Sequence, residues 1–297
     1  METHSRQKNG EDRRKMLLGT GLSLLALGFF SYRVTAQETA RQEAEWEGIN
    51  VTDWEISSDY PEDIFTFVRL KHSSKWTTDF PDSDLNFSFR LQELTSWEVD
   101  PDGKVFDITD PELMNYPFAL MSNPNAGHAR GVFQLDEEEV EALQRYFKNG
   151  GFVMVDDFWG DAMWENFQEE MEKVFPDVTP REIKFDARKP HGIFSSVFAV
   201  DKAPQVPSHD AAERWRDMGL ERTYEPMRGE SEDALNTPHF WAYQDDKGRI
   251  MMLVCHNNND LADGWEEEGF KVWFFKEFAE KYSYPMGINI LFHTMTH

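Results

Sequence analysis

The sequence predicts an α/β protein with a mainly parallel sheet, helices on both faces, and a C-terminal hairpin followed by helices. Three observations carry this. Segments rich in β-formers alternate with segments of helical spacing along most of the chain. Phe152-Val-Met-Val-Asp156 is apolar until its last residue, the pattern of a strand buried on both faces. It follows Gly150-Gly151 and runs into Asp156-Asp157-Phe158-Trp159-Gly160, a tight turn before a helix. Ligands of open parallel sheets sit outside the carboxyl ends of strands, so a site is expected at that turn.

The elements follow in order. Ile64 to Leu70 is a first strand. Asp82 or Ser83 caps a helix through about Leu94, whose apolar side is Leu85, Phe89, Leu91 and Leu94. Pro101-Asp102-Gly103 is a turn, and Pro117 to Ser122 a short buried strand. Asp136 caps a helix carrying Val140, Leu143 and Phe147, which Asn149-Gly150-Gly151 stops. After the strand 152–156, a helix from Asp161 to about Phe175 aligns Trp164, Phe167, Met171 and Val174. Arg181 to Phe185 is a further strand. Residues 199–236 lack periodicity and read as an irregular covering loop or lid. His239 to Gln244 and Arg249 to His256 form a hairpin across Asp245-Asp246-Lys247-Gly248. Phe270 to Tyr282 and Gly287 to Met295 are closing helices.

Residues 1–36 read as an export signal or a membrane anchor. Arg13-Arg14-Lys15 precedes an uncharged run, Met16 to Tyr32, and Val34-Thr35-Ala36 offers a small-residue cleavage site. The paired arginines resemble a twin-arginine signal, although Asp12 stands where Ser or Thr is usual. The expected location is therefore periplasmic, or membrane-associated through this segment alone. Residues 37–61 are polar and read as a linker, and 62–297 as one α/β domain. The formal net charge is −25; residues 1–36 hold six basic and three acidic groups, which leaves 24 against 52, or −28, on the rest. That balance disfavours nucleic acid, whose phosphates need Lys and Arg. With Cys255 the lone cysteine, an internal disulfide and a thiolate metal cluster are excluded.

At the expected site, Asp156 and Asp157 are the first candidates. A strand-end carboxylate facing a helix serves as general base, nucleophile or cation ligand. Alternatively, Asp157 or Asp161 simply caps the following helix. His128, His191, His256, His293 and His297 are candidate partners. His256 ends an apolar strand and opens the polar run His256-Asn257-Asn258-Asn259-Asp260, of the kind that builds ligand loops. Asp157, His191 and His256 are ligand types for Zn, Mn or Fe. No His-x-x-x-His spacing joins them, so no metal ligand and no cofactor are assigned. Cys255-His256 is not a dyad, because adjacent strand residues face apart. Trp159 and Trp265, in Gly-containing turns, either stack on a ligand or lock those turns.

Ordered blocks along the chain resemble the domain-of-unknown-function family 4159, DUF4159. The first are Arg69, Thr78-Asp79-Phe80-Pro81, Asn86, Phe89-Arg90 and Glu93-Leu94-Thr95. Next come Tyr116-Pro117-Phe118, Gly150-Gly151-Phe152 and Asp156 through Gly160, then Val174 through Asp177, His191 with Ile193-Phe194, and Gln205-Val206-Pro207. The last are His256-Asn257, Asp263 through Glu266, and Gly287-Ile288-Asn289 through Thr296-His297. Gly192 departs from the pattern, where Pro is expected. The resemblance implies a flavodoxin-like sheet similar to class I glutamine amidotransferases, and no known reaction. It also implies an envelope setting near MoxR-type ATPases and von Willebrand A-domain proteins. Active amidotransferases carry a nucleophilic Cys at the strand–turn–helix elbow; here Asp157 stands there. The sequence therefore points to a non-catalytic binding module of the bacterial envelope that engages an envelope protein. The alternative is a hydrolase using Asp157 with His191 or His256, with or without a divalent cation. Ligand contacts are expected from Asp156, Asp157, Trp159, Asp161, His256, Asn257, Asp260 and Trp265.

Overall fold

In the computed structural model, residues 38–56, 63–124, 133–258, 261–266 and 271–297 are described. The expected signal, His128 and Asp260 lie outside the described residues.

The main sheet has seven strands. They are β2 (Val68–Lys71), β4 (Lys104–Asp107), β5 (Phe118–Ser122), β6 (Phe152–Asp156), β7 (Arg181–Glu182), β8 (His239–Gln244) and β9 (Ile250–His256). The spatial order is β4-β2-β5-β6-β9-β8-β7. The first five are mutually parallel, and the hairpin strand β8 and then β7 add antiparallel. This is the α/β, flavodoxin-like architecture that the sequence predicts. The expected strand Ile64 to Leu70 is interrupted at Thr66-Phe67. Its first part, β1 (Ile64–Phe65), pairs with β3 (Glu98–Val99) in a separate two-stranded ribbon, while β2 joins the main sheet.

Strand alternation divides the core in two. One face buries Phe118, Leu120, Phe152, Met154, Leu253 and Cys255. Helices α2 (Asp82–Leu94), α7 (Leu261–Glu266) and α9 (Tyr284–Thr296) cover it with Phe87, Leu91, Trp265 and Ile290. The other face buries Ala119, Met121, Val153, Val155 and Val254 beneath α3 (Glu137–Lys148) and α4 (Asp161–Val174). Asp136 and Glu139 form a reciprocal capping box at the start of α3.

Three expectations need correction. The stretch read as a linker contains α1 (Ala40–Glu47), capped by Thr39 and ended at Gly48 with φ 75°. Its buried residues are Ala40 and Ala44, packed on Leu85; a stripe of alanines gives little apolar signal. The segment 199–236 is irregular over most of its length, as expected, but not throughout. It contains α5 (His209–Asp217) and α6 (Glu232–Leu235), capped by Ser208 and Ser231. Charge on the outer side of α5 hides the short stripe Ala211, Ala212 and Trp215. The closing helices are continuous: α8 (Val272–Phe274) runs through a π-helical segment, Phe275–Ser283, into α9. Tyr284 N donates five residues back to Ala279 O. The wide turn lets the helix accept Pro285, which has no N–H to give. Among the described residues, no helix is long and apolar enough to cross a membrane.

Candidate functional site

The carboxyl ends of three neighbouring parallel strands leave the sheet in the same way. Asn123 after β5, Asp157 after β6 and Asn257 after β9 have φ of 49°, 61° and 56°. Asn and Asp are the side chains that best tolerate this left-handed conformation, because their short polar groups bond locally. Asp79, in the loop after β2, has φ 57°. Strained backbone of this kind gathers where ligands are held.

Two elements bring further carboxylates to this edge. Arg69, fully buried on β2, shapes the Asp79 loop: its Nη1 donates to Trp76 O at 3.1 Å and Thr78 O at 2.8 Å. Its other donors reach Asp84 and Ser83 at the start of α2. Helix α7 presents Asp263 and Glu266 one turn apart. The helix is wedged in place by Trp265, whose ring lies 4.3 Å from Phe87 and whose carbonyl accepts from Asn86 Nδ2 at 2.9 Å. A side chain at Gly287 would strike the Trp265 ring at 2.5 Å, so α9 needs glycine there to approach.

One carboxylate oxygen each from Asp79, Asp263 and Glu266 lies within 4.8 Å of the others. Asp156 is fully buried; its Oδ2 accepts from Ala262 N at 3.3 Å, while its Oδ1 accepts nothing. Asp157 is 4 % exposed and its Oδ2 also accepts nothing. Burial, and then the charge of Asp157, pushes the Asp79 carboxyl up to about 8. Burial raises Asp156 and Asp157 well above the usual carboxylate range; Glu225 adds to the effect at Asp157, which the Asn123 amide only partly relieves.

The predicted site residues separate into two groups. Asp156 and Asp157 belong to this cluster; the other predicted residues that are described do not. Neither Asp157 nor Asp161 caps α4: its N-cap is Gly160, Ala162 N donates to Glu230 Oε1 at 3.2 Å, and Asp161 is exposed. His256 is buried on the opposite face of the sheet from Cys255. Its Nε2 donates to Gly160 O at 3.0 Å. Its ring stacks on Phe158, Trp164 and His239 at 5.3, 5.5 and 5.6 Å. Burial holds it neutral, with a pKa lowered to about 3. It pins β9 to the elbow.

Asn257 is fully buried and accepts from Gly160 N at 2.8 Å while donating to Ala234 O and Thr237 O at 2.7 and 2.9 Å. Asn258 and Gln205 fasten the covering segment in the same manner. Trp159 (2 % exposed) sits under Trp215, Tyr224 and Leu235 of that cover, and Trp265 (0 %) is core. Both are locks rather than stacking platforms.

His191 lies at the other end of the sheet. It shares a cleft of about 230 Å³ with Gly248, Arg249 and Ile250 at the start of β9, and with His293 and His297. It therefore cannot partner Asp157. Sequence reasoning missed Asp79, Asp263 and Glu266 as site residues. The signal was present in the family blocks at 78–81 and 263–266, yet nothing in their spacing joins a loop after the first main-sheet strand to a helix near the C-terminus.

With this geometry in view, the sequence was compared with known proteins. The family profile described as "Domain of unknown function (DUF4159)" matches residues 66–295. The chain belongs to the DUF4159 family. No curated protein matches it. The DUF4159 match spans both the elbow and α7, so it includes every carboxylate of the cluster.

Proposed function

We propose that this DUF4159 chain is an exported, non-catalytic binding module of the bacterial envelope, whose ligand is recognised at the carboxyl edge around Asp157. One observation carries the reading. The elbow position that holds a nucleophile in related sheets holds a buried carboxyl at φ 61°, and among the described residues neither His191 nor His256 attends it. His256 is spent on Gly160 O, and His191 sits at the far end of β9. Acid–base or nucleophilic work needs a partner within hydrogen-bond reach. A carboxyl oxygen without a donor instead favours a ligand that brings positive charge or N–H groups. The Arg13-Arg14 segment supports export, and the family setting suggests a von Willebrand A-domain protein or a MoxR-associated complex as the partner.

The test uses the wild-type chain and Asp157→Asn as baits on native envelope extract, with the ligand recovered and weighed by mass spectrometry. The expected result is a ligand retained unchanged by wild type and lost by Asp157→Asn, whose melting temperature stays close to wild type. Recovery of a cleaved or modified ligand, or equal retention by both baits, overturns the reading.

A further inference from the structure

We propose that the carboxyl edge of the sheet binds a hard divalent cation, ligated by Asp79, Asp263 and Glu266 and backed by Asp157. The proposal rests on the binding reading above and specifies what the site takes. The three side chains arrive from two separate elements, the loop clamped by Arg69 and helix α7, and meet with oxygens within 4.8 Å of one another. Calcium and magnesium bind oxygen at about 2.0–2.6 Å, which places two oxygens on one ion roughly 3–5 Å apart. The trio offers only carboxylate oxygen, a donor set that selects Ca²⁺, Mg²⁺ or Mn²⁺ over softer metals.

A second observation points to the same ligand. Asp156 Oδ1 and Asp157 Oδ2, on residues 0 % and 4 % exposed, accept no hydrogen bond. Ser122, in register beside Asp156 on β5 and facing the same side, is fully buried with its Oγ also unpartnered. Buried polar groups in native proteins are paired as a rule, so a cluster of unmet oxygens marks the place of a missing positive group.

The experiment is calorimetric titration of the chelator-treated full chain with CaCl₂ and, separately, MgCl₂, at pH 8. The expected result is one ion per chain. Asp79→Asn and Glu266→Gln each weaken binding tenfold or more. Glu266 is less buried than Asp263, so Glu266→Gln keeps the test decisive even if Asp79→Asn fails to fold. No uptake of either ion at millimolar concentration and pH 8, or uptake unchanged in both variants, overturns the proposal. If no ion binds while Asp157-dependent capture from envelope extract persists, the cation assignment falls alone. If an ion binds and the captured ligand is chemically converted, the non-catalytic reading falls alone.

Discussion

Asp157 and Asn257 follow the ends of adjacent parallel strands, share a left-handed backbone and are both buried, yet they are opposites. Every polar atom of the Asn257 amide meets a backbone partner: Gly160 N, Ala234 O and Thr237 O. Asp157 leaves Oδ2 unmet among other carboxylates. The first arrangement is complete as it stands and holds the cover down. The second is complete only with a proton or a ligand. The contrast teaches that a polar strand-end residue is to be judged by what its neighbours leave unpaired, not by its residue type.

The contrast can be broken by substitution. The largest effect is expected at Asn257. Asn257→Ala strands three buried backbone groups and places Ala in a left-handed conformation, at a cost of about 4 kcal/mol in denaturant unfolding. A loss below about 1 kcal/mol would mean that the cover is not fastened there. His256→Phe comes next: it keeps the stack but removes one of the two bonds to Gly160 O, which retains Trp164 N at 3.2 Å, for a loss of about 0.5–1.5 kcal/mol. If His256 were instead a functional base, this variant would melt like wild type and lose ligand capture.

Asp157→Asn retains left-handed tolerance and removes the unmet charge, so stability should change by less than about 1 kcal/mol near pH 6 and rise relative to wild type at pH 8. The smallest effect belongs to Asp161→Ala, within about 0.5 kcal/mol, because Glu230 bonds the exposed start of α4. A loss near 1 kcal/mol, the usual worth of a cap, would reinstate Asp161 in that role.

The acidic and histidine groups oppose one another across the pH scale. Asp79, Asp156 and Asp157 have folded pKa values above the unfolded one, so the folded state holds extra protons and stability falls as pH rises above about 4, through about 8 for Asp79. His72, His256 and His293 are lowered to about 4, 3 and 4 by burial, so the unfolded state binds the extra protons and stability falls as pH drops below 6.5. Between about pH 4 and 6.5 the two sets offset one another, so the ligand-free chain should be most stable in that mildly acidic range and lose stability on either side.

Much of the fold was legible because local signals agree with the tertiary structure. The strand 152–156, the cap at Asp136 and the hairpin at 245–248 stand where periodicity and turn chemistry put them, whereas α2 starts after Pro81 with no side-chain cap, so neither Asp82 nor Ser83 caps it. Helices α1 and α5 were not, since their buried stripes are mostly alanine beside charge. The elbow was legible as a place, and Asp156 and Asp157 belong to it. Its partners were not, because Asp79, Asp263 and Glu266 meet them only when β2, β6 and α7 come together. The histidines misled for a related reason: an imidazole advertises chemistry in sequence, but an aromatic stack around His256 is visible only in three dimensions.

The most direct test of the unmet-carboxylate account is denaturant unfolding of the chelator-treated chain at pH 6 and pH 8, wild type beside Asp79→Asn. The account predicts that the variant loses less than wild type over this interval by on the order of 2 kcal/mol, since one proton bound only in the folded state is worth about 1.4 kcal/mol per pH unit. Equal slopes in the two proteins would contradict it.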